Sequence, residues 1–151
     1  MDIQEGINMI AVEKEPFTVA FIDAQSKEEA IATLVAELDV DHRIIYQSVI
    51  EREKVISTGI GIGIAIPHAK SPVVEEFNVV VGIVTHGGID WDSIDHLPVK
   101  LIILICGPDD QHKEYLQLLS SWTKKIKQER VRQALFFAKT REEVVKILTE
   151  C

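Results

Sequence analysis

Apolar positions run along this chain in two rhythms, one of period two and one near 3.6. Phe17–Ile22 is dense in residues that favour extended backbone and predicts a strand. Ser26-Lys27-Glu28-Glu29 then has the form of a capping box, with Ser26 as N-cap and Glu29 at N3. Ile31, Leu34, Val35 and Leu38 recur at helical spacing, so Ser26–Leu38 reads as a helix. Asp41 can cap a second helix to about Lys54, with Ile44, Ile45, Val49 and Ile50 as its apolar stripe. Glycine next alternates with isoleucine from Gly59 to Ile66, ahead of Pro67 and His68. In extended backbone that puts Ile60, Ile62, Ile64 and Ile66 on one face, and Gly59, Gly61, Gly63 and Ala65 on the other. A strand with one bare face suits close packing against another backbone.

Two nearly continuous apolar runs follow, Phe77–Thr85 and Val99–Cys106. Such runs predict strands covered on both faces. Gly87-Gly88 supplies a turn between them, and Gly107-Pro108-Asp109 ends the second run and opens a helix. Tyr115, Leu118, Leu119, Trp122 and Ile126 form that helix's apolar face, and Glu129–Ala138 continues helical. Thr140-Arg141-Glu142-Glu143 is a second capping box, starting a last helix with Val144, Ile147 and Leu148. Helices interleaved with fully apolar strands predict an α/β fold. It is a single layered domain over residues 1–151, with a mixed central sheet and helices on both faces.

Composition narrows the function. A chain of 151 residues with 46% apolar and 26% charged residues has material for one sizeable core. The net charge of −8 leaves no basic footprint for nucleic acid and favours a partner with a basic docking face. Cys106 sits inside an apolar run and reads as core, and Cys151 is the last residue, so no disulfide framework is expected. A reducing, cytoplasmic setting fits. Asp2, Glu5, Glu13 and Glu15 break any signal-like apolar stretch, and no run is long enough to span a membrane. Any membrane role would then work through a partner.

The chemistry concentrates at Ile66-Pro67-His68-Ala69. Pro67 fixes φ and lacks an N–H, so His68 is presented on a stiff stem at a strand end. That is how a reactive imidazole would be held. Arg52-Glu53, Ser57-Thr58-Gly59-Ile60-Gly61 and Gly63-Ile64-Ala65-Ile66-Pro67-His68, taken in order and spacing, resemble the signature of the IIA domains of the bacterial phosphotransferase system. The branch is the fructose/mannitol type, which includes the nitrogen-regulatory IIA proteins. The resemblance extends through Ile94-Asp95, Pro98-Val99 and the C-terminal helices.

The resemblance implies that His68 accepts a phosphoryl group, through Nε2, from the phosphocarrier protein HPr or a relative. It implies that the group then passes to a IIB domain or is held as a regulatory signal, with no cofactor. The residue type suits that chemistry, because a neutral imidazole nitrogen is nucleophilic at physiological pH. Arg52 matches the family's active-site arginine, and its fork could grip phosphate oxygens. Thr58 and Ser57 could donate to phosphate or equally cap a turn. The family's second histidine is replaced here by Tyr115, in Tyr115-Leu116-Gln117-Leu118-Leu119. His112, one helical turn earlier, could substitute, or Tyr115 could supply a hydroxyl donor. Lys70 adds a cation near His68.

Other constellations carry less. His42, His86 and His96 have no zinc-type pairing, so no metal is expected. The Gly59–Gly63 run leads into Pro-His and not into a helix, unlike a dinucleotide-binding fingerprint. Asp90, Asp92 and Asp95 beside Trp91 read as a solvated turn or a docking patch. A rival function on the same fold is a binding module that is never phosphorylated.

Overall fold

The structure is a computed structural model that describes residues 17–150. The acidic positions Asp2, Glu5, Glu13 and Glu15, and Cys151, lie outside the described residues. The strands are β1 (Thr18–Ile22), β2 (Gly59–Gly61), β3 (Ile64–Ala65), β4 (His68–Lys70), β5 (Asn78–Val84) and β6 (Leu101–Gly107). The helices are α1 (Lys27–Val35), α2 (His42–Val55), α3 (His112–Lys127), α4 (Glu129–Phe136) and α5 (Arg141–Thr149). All six strands join one mixed sheet in the order β1-β5-β6-β3-β2, with β4 also paired to β6. β1 runs parallel to β5, β5 antiparallel to β6, and β3 and β4 parallel to β6.

β6 is buried along its whole length, and its alternation sorts the core into two layers. Ile102, Leu104 and Cys106 face Ile31, Leu34, Ile45 and Val49 of α1 and α2. Leu101, Ile103 and Ile105 face Trp122, Ile126, Val131, Leu135, Val144 and Leu148 of α3 to α5. Each such aliphatic side chain contributes roughly 1.5–3 kcal/mol on burial. Burial pushes the Cys106 thiol up to about 12, so it behaves as a small apolar residue.

The caps form as the sequence predicts. The Ser26 hydroxyl accepts from the Glu29 amide at 3.1 Å, and Thr140 accepts from the Glu143 amide at 3.1 Å. Asp41 accepts from the amides of Arg43 and Ile44 at 3.1 and 3.2 Å. Boundaries differ in places. α1 closes at Val35, and Leu38 reaches the core through a turn in which its amide donates to Val35. On α2, Ile44 is exposed, and the inner stripe is Ile45, Val49 and the carboxylate-bearing Glu53. The helical stretch after His112 breaks at Gln128, whose ψ of 120° is extended.

The main correction concerns the Gly/Ile run, which is a hairpin and not one strand. β2 pairs antiparallel to β3, and the chain turns through Gly61, Ile62 and Gly63 at φ of 92°, 54° and 81°. Two of these three positions are glycine because left-handed backbone suits a residue without Cβ. Ile62 is β-branched, and its left-handed φ is strained. The Asp95 carboxylate accepts from the Ile62 amide at 2.8 Å and from Leu97 at 3.1 Å, which pins the turn. Those two amides hold the Asp95 carboxyl below its ordinary range. The predicted single isoleucine face therefore splits: Ile64 and Ile66 are buried, and Ile62 is exposed. The acidic turn is also less open than its composition implies, since Trp91 within it is fully buried.

β3 and β4 lie in succession along one flank of β6, separated by Ile66-Pro67. Pro67 needs no donor there, and its carbonyl accepts from the Ile105 amide at 3.1 Å. Period two then places Ile64, Ile66, His68 and Lys70 on one side of the chain. No helix among the described residues is long and apolar enough to cross a membrane.

Candidate functional site

His68 opens β4, whose described strand partner is β6 alone. The free flank lets α2 and α3 approach the strand end from the two sheet faces. They enclose a cleft of about 400 Å³. α2 contributes Ser48 and Arg52, β4 contributes His68, Ala69 and Lys70, and α3 contributes His112, Tyr115, Leu116 and Leu119. Among the described residues no carboxylate lines it, on a chain whose net charge is −8.

The orientation of the His68 ring is set by its neighbours. Nδ1 lies 2.7 Å from the Ile66 carbonyl oxygen, which can only accept, so Nδ1 carries the proton. Nε2 is then left with its lone pair. Burial lowers the ring's pKa below its ordinary value, and the Arg52 charge lowers it further. The Ile66 carbonyl and Glu53 oppose this without reversing it. The ring is neutral at physiological pH. Tyr115 packs edge-on, with ring centroids 6.0 Å apart. Burial raises the Tyr115 phenol's pKa, so it stays a neutral hydroxyl.

Arg52 is one turn from the end of α2. Its guanidinium donates to the Ile56 carbonyl at 3.1 Å, which steadies the head group and leaves its other N–H donors for an anion. Lys70 Nζ lies 2.7 Å from His112 Nδ1 and 5.4 Å from the centroid of the Tyr115 ring. These cations and the bare Nε2 suit a doubly charged tetrahedral group such as phosphoryl.

Thr58 and Ser57 are placed elsewhere. Thr58 is buried; its hydroxyl donates to Glu53 in a very short contact and accepts from Trp91 Nε1 at 3.4 Å. The Ser57 hydroxyl donates to the Trp91 carbonyl at 2.7 Å and accepts from the Gly59 amide at 3.1 Å. Both serve the turn before β2, and neither lines the cleft. Ser48 lines the cleft without standing out in the sequence. Its spacing of one helical turn before Arg52 is the signal that could have found it. His42 and His86 each bond a backbone carbonyl, at 2.7 Å to Leu38 and 2.6 Å to Ala24. Among the described residues, no group of three or more His, Cys, Asp or Glu could hold a metal.

Residues 12–151 match the family model for the phosphoenolpyruvate-dependent sugar phosphotransferase system, EIIA 2. The chain is 36% identical over 133 residues to a nitrogen regulatory protein of Klebsiella oxytoca, covering 85% of this chain and 82% of that one. It is 33% identical over 150 residues to a fructose-specific EIIA component of Haloferax volcanii, covering 95% and 91%. Nitrogen regulatory protein IIA-Ntr from Neisseria meningitidis superposes with a TM-score of 0.80 at 28% identity, over 88% of this chain and 93% of that one. The Escherichia coli complex of enzyme IIA-mannitol with phosphorylated enzyme IIB-mannitol contains a chain that superposes at 0.73 and 26% identity, over 87% and 94%. The chain belongs to the EIIA 2 family of the phosphoenolpyruvate-dependent sugar phosphotransferase system.

Proposed function

We propose that this chain is a phosphocarrier that takes a phosphoryl group on Nε2 of His68 from HPr or a related phosphohistidine protein. It then passes the group to a IIB domain or keeps it as a regulatory signal. The observation that carries this reading is the 2.7 Å contact between His68 Nδ1 and the Ile66 carbonyl, which leaves Nε2 bare inside a cation-lined cleft.

The step balances without proton transfer to solvent. The Nε2 lone pair forms a bond to phosphorus as the bond from phosphorus to the donor's ring nitrogen breaks, and the donor ring leaves with that electron pair. The phosphorylated ring then carries Nδ1–H and a formal positive charge, which the Ile66 carbonyl stabilises. That charge keeps the imidazole a good leaving group, so the phosphoryl group can move on. The protein's task is mainly positioning and electrostatic stabilisation of the phosphoryl oxygens. In this reading Arg52 does both, and its place in the lining of the cleft supports that role.

The test is incubation with purified Enzyme I, HPr and phosphoenolpyruvate, read by intact mass. One acid-labile phosphoryl gain per chain supports the reading. No gain would leave the unphosphorylated binding module standing. Added IIB domain that discharges the phosphorylated chain would favour the transport role over a held signal.

Arg52→Ala should slow phosphoryl receipt by about 10²-fold, the usual scale for losing one preorganised donor. Stability should change by no more than about 0.5 kcal/mol, because the side chain serves the cleft and not the core. Stopped-time mass measurement and urea unfolding check the two halves separately.

The rate should also report the depressed His68 pKa. Only the neutral ring is nucleophilic, and its folded pKa lies below the ordinary 6.5. The acid-side half-point of receipt should therefore lie below pH 6.5. A decline already complete at pH 6.5 would contradict the buried, neutral ring.

A further inference from the structure

We infer that Lys70, and neither Tyr115 nor His112, is the second phosphate-binding group of the cleft, and that His112 is its positioning residue. This deepens the phosphocarrier reading and rests on it.

Three observations converge. Lys70 follows His68 by two residues on β4, so strand alternation projects both side chains from the same side. Both line the one cleft. The Lys70 ammonium is held at two points by α3: Nζ is 2.7 Å from His112 Nδ1 and 5.4 Å from the Tyr115 ring centroid. An ammonium can only donate, so His112 Nδ1 is the acceptor in this contact. That fixes His112 as the neutral tautomer with its proton on Nε2. A histidine spending its lone pair on Lys70 is acting as a holder and contributes no charge to phosphate. Tyr115 contributes its ring face and, as a neutral phenol, no charge either.

The ammonium has three N–H donors, and the His112 contact uses one. The others remain for oxygens of a phosphoryl group on His68. Lysine is a flexible point charge on a four-carbon stem, and its rotamer freedom is lost when it binds. A head group fastened to His112 and set against the Tyr115 ring has given up much of that freedom beforehand. Preorganisation of this kind strengthens the interaction at the moment of transfer.

The test uses the full chain and phosphoramidate as a small phosphoryl donor, so that no protein docking surface enters the rates. Mass spectrometry follows phosphorylation of the native chain, Lys70→Met, Lys70→Arg, His112→Ala, His112→Asn and the double variant Lys70→Met/His112→Ala. Lys70→Met should lower the rate about tenfold or more, on the scale of a lost charge-stabilising donor. Lys70→Arg should keep most of it. His112→Ala should lower the rate by a smaller factor, and His112→Asn should restore it by returning an acceptor for the ammonium. The double variant should match Lys70→Met alone, because His112 acts through Lys70 and the effects are not additive.

Additive losses, or a full effect of His112→Ala with none from Lys70→Met, would overturn the assignment and make His112 the direct ligand. Native-rate phosphorylation of both Lys70→Met and His112→Ala would overturn it too. If the native chain gains no phosphoryl group from phosphoramidate or from Enzyme I, HPr and phosphoenolpyruvate, the phosphocarrier reading and this one fall together; if it gains one and the Lys70 variants match it, only this one falls. Lys70 is exposed, so the variants should melt within a few degrees of the native chain, a control that separates lost folding from lost transfer.

Discussion

His68→Ala should leave the chain with no acid-labile mass gain in the presence of Enzyme I, HPr and phosphoenolpyruvate, a loss without a measurable residue. The effect is total because the bond to phosphorus is made by one atom. Nε2 of His68 is bare, since Nδ1 is engaged by the Ile66 carbonyl at 2.7 Å, and burial together with the Arg52 charge keeps the ring neutral. His112 cannot replace it in place, because its Nδ1 lone pair is taken by Lys70. The variant should still fold. The lost side-chain contact to Ile66 costs roughly 0.5–1.5 kcal/mol, against the usual 5–15 kcal/mol of a domain. His68→Gln guards the interpretation: its amide can still donate to the Ile66 carbonyl, it carries no nucleophilic nitrogen, and it should be equally inert. A phosphoryl gain on His68→Gln that moves to His112 on peptide mapping would refute the assignment of the acceptor.

Much of this site was legible in the chain, and what was not has identifiable causes. The caps at Ser26, Asp41 and Thr140 were readable because a cap is decided by residues three apart. The two central strands were readable because burial on both faces leaves no polar position to interrupt them. The hairpin was not. Alternating glycine satisfies a period of two as well as it satisfies a turn, and the deciding partner, Asp95, lies 33 residues away. The cleft shows the same division. Pro67-His68 and Arg52 stood out as a local motif, and the Lys70–His112 contact joins residues 42 apart. Helical spacing puts Glu53, and not Glu51, on the stripe of Ile45 and Val49, but it does not reveal the partners Lys27 and Thr58 that let a carboxylate be buried there. Glu53 is buried and Glu51 exposed, because they occupy different faces of α2, one toward the sheet and one toward solvent.

Glu53→Ala should destabilise the fold more than Arg52→Ala, His68→Ala or Lys70→Met. The Glu53 side chain is only 4% exposed, and it accepts from three donors. Lys27 Nζ lies 3.1 Å away, the Thr58 amide donates at 3.2 Å, and the Thr58 hydroxyl donates in the very short contact. Deleting the carboxylate strands a largely buried ammonium, a buried amide and a buried hydroxyl at once. Removing one partner of a buried ion pair costs about 3–5 kcal/mol, mostly because the group left behind has lost its counter-charge. The pair is worth far less than that when both partners are removed together, so Lys27→Met/Glu53→Ala should recover part of the loss. The same carboxylate ties the last turn of α2, which carries Arg52, to the start of β2. Phosphoryl receipt by the folded fraction of Glu53→Ala should therefore also fall, though less than for Arg52→Ala, where the guanidinium itself is gone. Urea unfolding measures the first effect and stopped-time mass measurement the second. A midpoint for Glu53→Ala close to that of Arg52→Ala would mean that Glu53 contributes no more than an ordinary surface charge, and that the buried bridge is not what holds α2 to the strand leading to His68.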